Sequence, residues 1–188
     1  MDTDNSNESG LMRTFWGIDL PRETKIALGT LQGALRAKLP PASWPPPENF
    51  HLTLAFLGGV PRASLPQILE AGRRVAKVHQ PFCLGTSELG AFPDPGRARI
   101  LFLGLEDDPR ATNLAGDLHG AMTGLGLELD EKPFISHLTL ARFRRPAALH
   151  LEPLELTATV DVRHLVLFES RTGPKGSIYT ALGSLPLG

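Results

Sequence analysis

The pentapeptide HLTLA occurs twice in this chain, as His51-Leu52-Thr53-Leu54-Ala55 and as His137-Leu138-Thr139-Leu140-Ala141. Alternation of apolar and polar residues at period two is the signature of a strand with one buried face. On such a strand His51 and Thr53 share one face while Leu52 and Leu54 share the other. His137 and Thr139 stand in the same relation to Leu138 and Leu140. A chain that displays the same His-x-Thr pair twice, anchored each time by leucines, must bring up two equivalent strands. The copies lie roughly half a chain apart, so we expect two related α+β half-units, each supplying one strand to a shared cleft.

The flanking segments predict the other elements. Residues 1–10, MDTDNSNESG, are acidic and polar and read as a disordered tail. Residues 11–188 fit one domain or two small lobes with a shared core. Thr14 to Leu20 predicts a strand closed by Pro21, and the spacing of Ile26, Leu28, Leu31 and Leu35 predicts a helix to about Leu39. The segment PPASWPPP, from Pro40 to Pro47, can form neither helix nor central strand and is expected as an extended connector. The first HLTLA strand should end at Gly58-Gly59, with a helix following from Leu65 to Val78. Strands are expected near Phe82 to Leu89 and Ala98 to Leu105, around the turn-rich FPDPGR, and a helix from Leu114 to Leu125. After the second HLTLA, strands are expected from Leu154 to Thr159, His164 to Phe168 and Ile178 to Leu182. The segment SRTGPKGS reads as the turn between the last two.

With 41% hydrophobic and 21% charged residues, the 188-residue chain has the balance of a globular protein. A formal net charge of −1 argues against a broad basic surface gripping long duplex nucleic acid. A short or terminal phosphate ligand needs only a local cluster, which net charge does not exclude. Cys83 stands alone, so there is no disulfide framework and no cysteine zinc site. No apolar run approaches the length of a membrane span, and the N-terminus lacks signal architecture; a cytoplasmic location is expected.

Histidine titrates near neutrality, so one of the pair can act as base while the other acts as acid. In-line hydrolysis of a phosphodiester needs both roles, on opposite sides of phosphorus. A threonine on the same face as each histidine can donate a hydrogen bond to a non-bridging phosphoryl oxygen and stabilise its growing charge. The scheme requires no metal, and no carboxylate or third ligand accompanies either motif. Arg142 could add positive charge. Strict alternation puts it opposite His137, so either a bulge turns it into the cleft or it serves elsewhere. Arg97, Arg99, Arg144, Arg145, Arg171 and Lys175 are further candidates for substrate contact, while His79, His119, His150 and His164 read as surface or core residues.

The segments NFHLTLAFLG (Asn49 to Gly58) and PFISHLTLARF (Pro133 to Phe143) resemble the two-histidine (2H) phosphoesterase superfamily. Within it, the chain is similar to the RNA 2′,3′-cyclic phosphodiesterases of the LigT/ThpR type. TFWGIDLP, WPPPENFHLTL and LVLFESRTGPKGSIYTAL extend the likeness from about Arg13 to Leu182. The resemblance implies an α+β fold with two pseudo-symmetric lobes, antiparallel sheets flanking a central cleft, and helices outside. It implies metal-independent hydrolysis of a terminal 2′,3′-cyclic phosphate to the 2′-phosphomonoester, with no cofactor. His51 would protonate the departing O3′, His137 would activate water, Thr53 and Thr139 would hold phosphoryl oxygens, and Arg142 would contact the phosphate.

A cyclic phosphate across O2′ and O3′ exists only on RNA. The expected partners are therefore RNA ends or nucleotides bearing that group, met by a monomer with no membrane association. Phe143, on the His137 face by alternation, is the expected base-stacking platform. Phe15, Trp44, Phe92 and Tyr179 are further aromatic candidates, and Phe56, on the leucine face, is expected in the core. A 2′–5′ RNA ligase or phosphodiesterase, and a non-catalytic RNA-end-binding module, are the competing functions.

Overall fold

The computed structural model describes residues 10–153, 158–174 and 176–188. Among the described residues, eight strands and three α-helices follow one another as β1 (Leu11–Asp19), α1 (Arg22–Arg36), β2 (His51–Pro61), α2 (Leu65–Ala76), β3 (Phe82–Phe92), β4 (Ala98–Leu105), α3 (Pro109–Thr123), β5 (His137–Ala147), β6 (Thr159–Val162), β7 (His164–Gly173) and β8 (Gly176–Pro186). The strands pair antiparallel throughout in the order β6-β3-β4-β5-β2-β1-β7-β8.

The two HLTLA strands lie side by side at the middle of this order. Among the described residues they are joined through one pair, Leu52 with Leu138, at equivalent positions of the two copies. The sheet thus divides into two four-stranded lobes that meet at the repeated motif. In one lobe α1 links β1 to β2; in the other α3 links β4 to β5.

The apolar half of each motif anchors the fold. Leu52, Leu138 and Leu140 are fully buried and Leu54 nearly so, in one core with Leu28 of α1, Ile68 and Val75 of α2, and Leu114, Leu118 and Met122 of α3. Helix α3 starts at Pro109 rather than near Leu114. Asp108 accepts from the Arg110 backbone N–H at 2.8 Å, and the fixed φ of Pro109 suits a first helical residue. Helix α1 stops at Arg36, and the expected 154–159 strand falls largely outside the described residues, as does the tail over residues 1–9. The proline segment is extended as expected. It crosses β5 at Ser43, whose N–H donates to the Arg142 carbonyl at 2.8 Å and whose carbonyl accepts from the Arg142 N–H at 2.9 Å.

Both motif strands carry a bulge at the same place. Trp16 faces Ala55 and Gly17 faces Thr53, so Leu54 is passed over; Leu101 faces Ala141 and Phe102 faces Thr139, so Leu140 is passed over. Two consecutive residues therefore point into the core in each strand, and the alternation beyond them inverts.

Candidate active site

Each catalytic candidate begins its strand, on the sheet face opposite the helices, and each is half-buried. The local geometry is duplicated down to the hydrogen bond. His51 Nδ1 lies 2.7 Å from the carbonyl oxygen of Asn49, and His137 Nδ1 lies 2.7 Å from that of Ile135. A carbonyl only accepts, so Nδ1–H donates in both cases, which leaves the Nε2 of each neutral ring with its lone pair. Asn49 is itself held by its side-chain amide, which donates to the Ser177 carbonyl at 2.6 Å. Thr53 Oγ1 lies 2.9 Å from His51 Nε2 and can donate to its lone pair. The Leu52–Leu138 register brings Thr139 across from His51 and Thr53 across from His137.

The bulge after Thr139 sets the direction of the next side chains. Arg142 is exposed on the His137 face, and its positive charge bears on both imidazoles. Burial, opposed by the Asn49 carbonyl and reinforced by Arg142, lowers the His51 pKa to about 4. Burial and the same arginine also lower that of His137 below the usual 6.5. Both rings are thus neutral in the free protein at pH 7.

The same bulge overturns the expectation for Phe143. It is 5% exposed and belongs to the core, so it offers no surface for stacking a base. Phe56 is the converse error: expected inside, it is 61% exposed, because the Leu54 bulge carries it to the histidine face.

The aromatic walls come from neighbouring strands instead. Phe15 of β1, Phe168 of β7 and Tyr179 of β8 have ring centroids 4.7, 6.0 and 5.0 Å from His51. Phe92 of β3 and Phe102 of β4 stand 5.0 and 5.2 Å from His137. Phe102 and Phe168 escaped the sequence reading, because only the strand order brings them to the motifs. Trp44 packs half-buried against the core. Arg171 is engaged with Glu169 at 2.9 Å, and Lys175 lies outside the described residues.

A third residue missed from sequence is Gln32, buried on α1. Its Nε2 donates to the carbonyl of Leu140, the bulged residue, at 3.1 Å, and to that of Pro45 in the proline segment at 2.8 Å. Gln32 and Ser43 together hold the backbone that aims Arg142. Among the described residues, no group of three metal-ligating side chains converges, and no helix is long and apolar enough to cross a membrane.

The arrangement has known counterparts. A protein of Geobacillus stearothermophilus named RNA 2′,3′-cyclic phosphodiesterase is 32% identical over 179 residues, covering 92% of this chain; the chain spans only 56% of that relative's length. A Thermus thermophilus protein of the same name is 34% identical over 183 residues, covering 94% of this chain and 90% of the relative. The crystal structure of E. coli LigT complexed with 3′-AMP superposes with a TM-score of 0.80 at 28% identity, covering 94% of this chain and 98% of that one. The family model described as LigT like Phosphoesterase matches residues 18–102 and 103–179, dividing the chain between the two motifs, and the chain belongs to that family.

Proposed function

We propose that this protein hydrolyses the 2′,3′-cyclic phosphate at the end of an RNA to a 2′-phosphomonoester, with His51 as general acid and His137 as general base. The observation that carries the reading is the matched pair of imidazoles, each locked through Nδ1 to the carbonyl two residues earlier, with the charge of Arg142 bearing on both. His137 Nε2 takes a proton from water as the water oxygen bonds to phosphorus. The P–O3′ bond breaks on the opposite side, and O3′ takes its proton from His51. Thr53, Thr139 and Arg142 hold the non-bridging oxygens, where preorganised donors lower the barrier most. The name shared by the relatives supports the substrate class. One chain carries both motifs, so the reading needs no second copy, no metal and no cofactor, and the RNA it meets is cytoplasmic.

The test is incubation with 2′,3′-cyclic AMP in excess EDTA and identification of the product. The 2′-phosphate is expected. A 3′-phosphate product, or activity lost in EDTA and restored by a divalent metal, would overturn the mechanism; turnover confined to 2′–5′-linked oligonucleotides would reassign the substrate.

The pH dependence carries its own sign. The productive free enzyme has one imidazole protonated and the other neutral, and both free pKa values lie below 6.5. Above both, that form declines tenfold per pH unit; below both, it declines again. The kcat/KM profile should therefore be a bell with its maximum below pH 6.5. Bound phosphate offsets burial and Arg142, so the kcat profile should lie at higher pH. A kcat/KM maximum at pH 7.5 or above would contradict the lowered pKa values.

A further inference from the structure

The duplicated strands serve as controls for one another. Over their first nine residues β2 and β5 follow the same sequence of buried, half-buried and exposed positions. After HLTLA, however, β2 continues Phe56-Leu57-Gly58-Gly59 whereas β5 continues Arg142-Phe143-Arg144-Arg145. Gly58 answers a left-handed backbone of its own (φ +69°). Nothing in the burial of β5 asks for three arginines.

Beyond the bulge, Arg142 and Arg144 are exposed on either side of buried Phe143, and β5 shifts register against β4 again between Arg142 and Ala147. A two-residue step on a regular strand spans about 6.6 Å, near the spacing of successive phosphates on an extended nucleic-acid strand. Arg99 of β4 adds a third guanidinium here: its Nη1 donates to the Arg144 carbonyl at 2.7 Å. Among the described residues, Arg99, Arg142, Arg144 and Arg145 form no ion pair with a carboxylate, a state they share with Arg13, Arg22, Arg36, Arg62, Arg74 and Arg97, but they alone are gathered at one pair of strand ends. Like charges gathered on one strand end repel, in a protein whose net charge is only −1. A polyanion laid along them would relieve that repulsion.

We infer that the β4–β5 strand ends form a phosphate track, with Arg144 and Arg99 gripping the backbone immediately upstream of the cyclic end, so that the preferred substrate is an oligoribonucleotide rather than a mononucleotide. The inference rests on the phosphodiesterase reading and specifies its substrate. The equivalent path along β2 carries no arginine of its own past Phe56 and Gly58, and its neighbour β1 offers Arg13 alone, opposite Gly59, so the larger cluster lies along β5.

The experiment compares 2′,3′-cyclic AMP with oligoribonucleotides of two, three and five residues bearing the same end, using the full chain and its Arg144→Ala, Arg144→Glu and Arg99→Ala variants. The wild type should show kcat/KM rising with length up to three nucleotides. Arg144→Glu should cut the ratio of trimer to mononucleotide at least fivefold. For Arg144→Ala the plot of log kcat/KM on the trimer against log salt should be shallower by about 0.7, the value for one lost single-strand phosphate contact. An unchanged ratio, or equal losses on all lengths, would overturn the track.

Binding of a 2′-phosphate-ended pentaribonucleotide, followed by fluorescence anisotropy, separates the two readings. Arg144-dependent binding without hydrolysis of any substrate would keep the track and sink the enzyme. Hydrolysis with Arg144-independent binding would do the reverse.

Discussion

Replacing either His51 or His137 by alanine is expected to lower kcat by about 10²- to 10⁴-fold, the range for loss of a positioned general acid or base. The double variant should be little worse than the worse single one, because the two groups serve one transition state and their losses do not multiply. Binding of a 2′-phosphate product should fall far less, since Thr53, Thr139 and Arg142 remain. The residual activities also assign the roles. Without the acid, the remaining requirement is a neutral His137, so the rate of His51→Ala should rise with pH to a plateau. Without the base, the requirement is a protonated His51, so the rate of His137→Ala should fall as pH rises. Opposite slopes to these would exchange the two roles. A loss under fivefold in either variant would remove that histidine from the chemistry.

The second large effect is on stability, and two physical arguments give it opposite signs. Gly72 lies within α2, where helix propensity alone credits Gly72→Ala with about 1 kcal/mol. The tertiary contact says otherwise. A Cβ at Gly72 would run into the Trp16 indole, well inside van der Waals contact, and Trp16 is fully buried. Overpacking of a core costs about 1–3 kcal/mol, occasionally more, and here the indole has no surface to escape to. We expect the contact to win, with Gly72→Ala lowering Tm by several degrees in a thermal melt at the roughly 2–4 °C per kcal/mol of a chain this size. Trp16→Phe should make room for the methyl, so the double variant should be more stable than additivity of the single changes allows. A rise in Tm for Gly72→Ala would show that the indole yields freely. Trp16 also faces Ala55 at the β2 bulge, one pair from Thr53, so a displaced indole should lower activity alongside stability.

The two repeated strands, the histidines and threonines on one face of each and the leucines behind them were legible in the sequence, because period-two alternation is a local property that any pairing of the strands preserves. The candidate site was legible for the same reason: His51 and His137 carry their own Thr two residues on. What the sequence left open depends on partners far along the chain. The passing over of Leu54 and Leu140 is decided by where β1 and β4 align against the motif strands, and no residue within HLTLA announces it. Those two bulges send Phe56 and Arg142 to the histidine face and Phe143 into the core, inverting the alternation on which all three had been placed. Likewise Phe102, Phe168 and Gln32 carry no local mark of function. The strand order sets the two rings beside His137 and His51, and the packing of α1 against β5 gives Gln32 the Leu140 carbonyl that the bulge leaves over. Local pattern decided which side chains each motif displays; long-range register decided where they point, since a slip of one residue in pairing reverses every face beyond it.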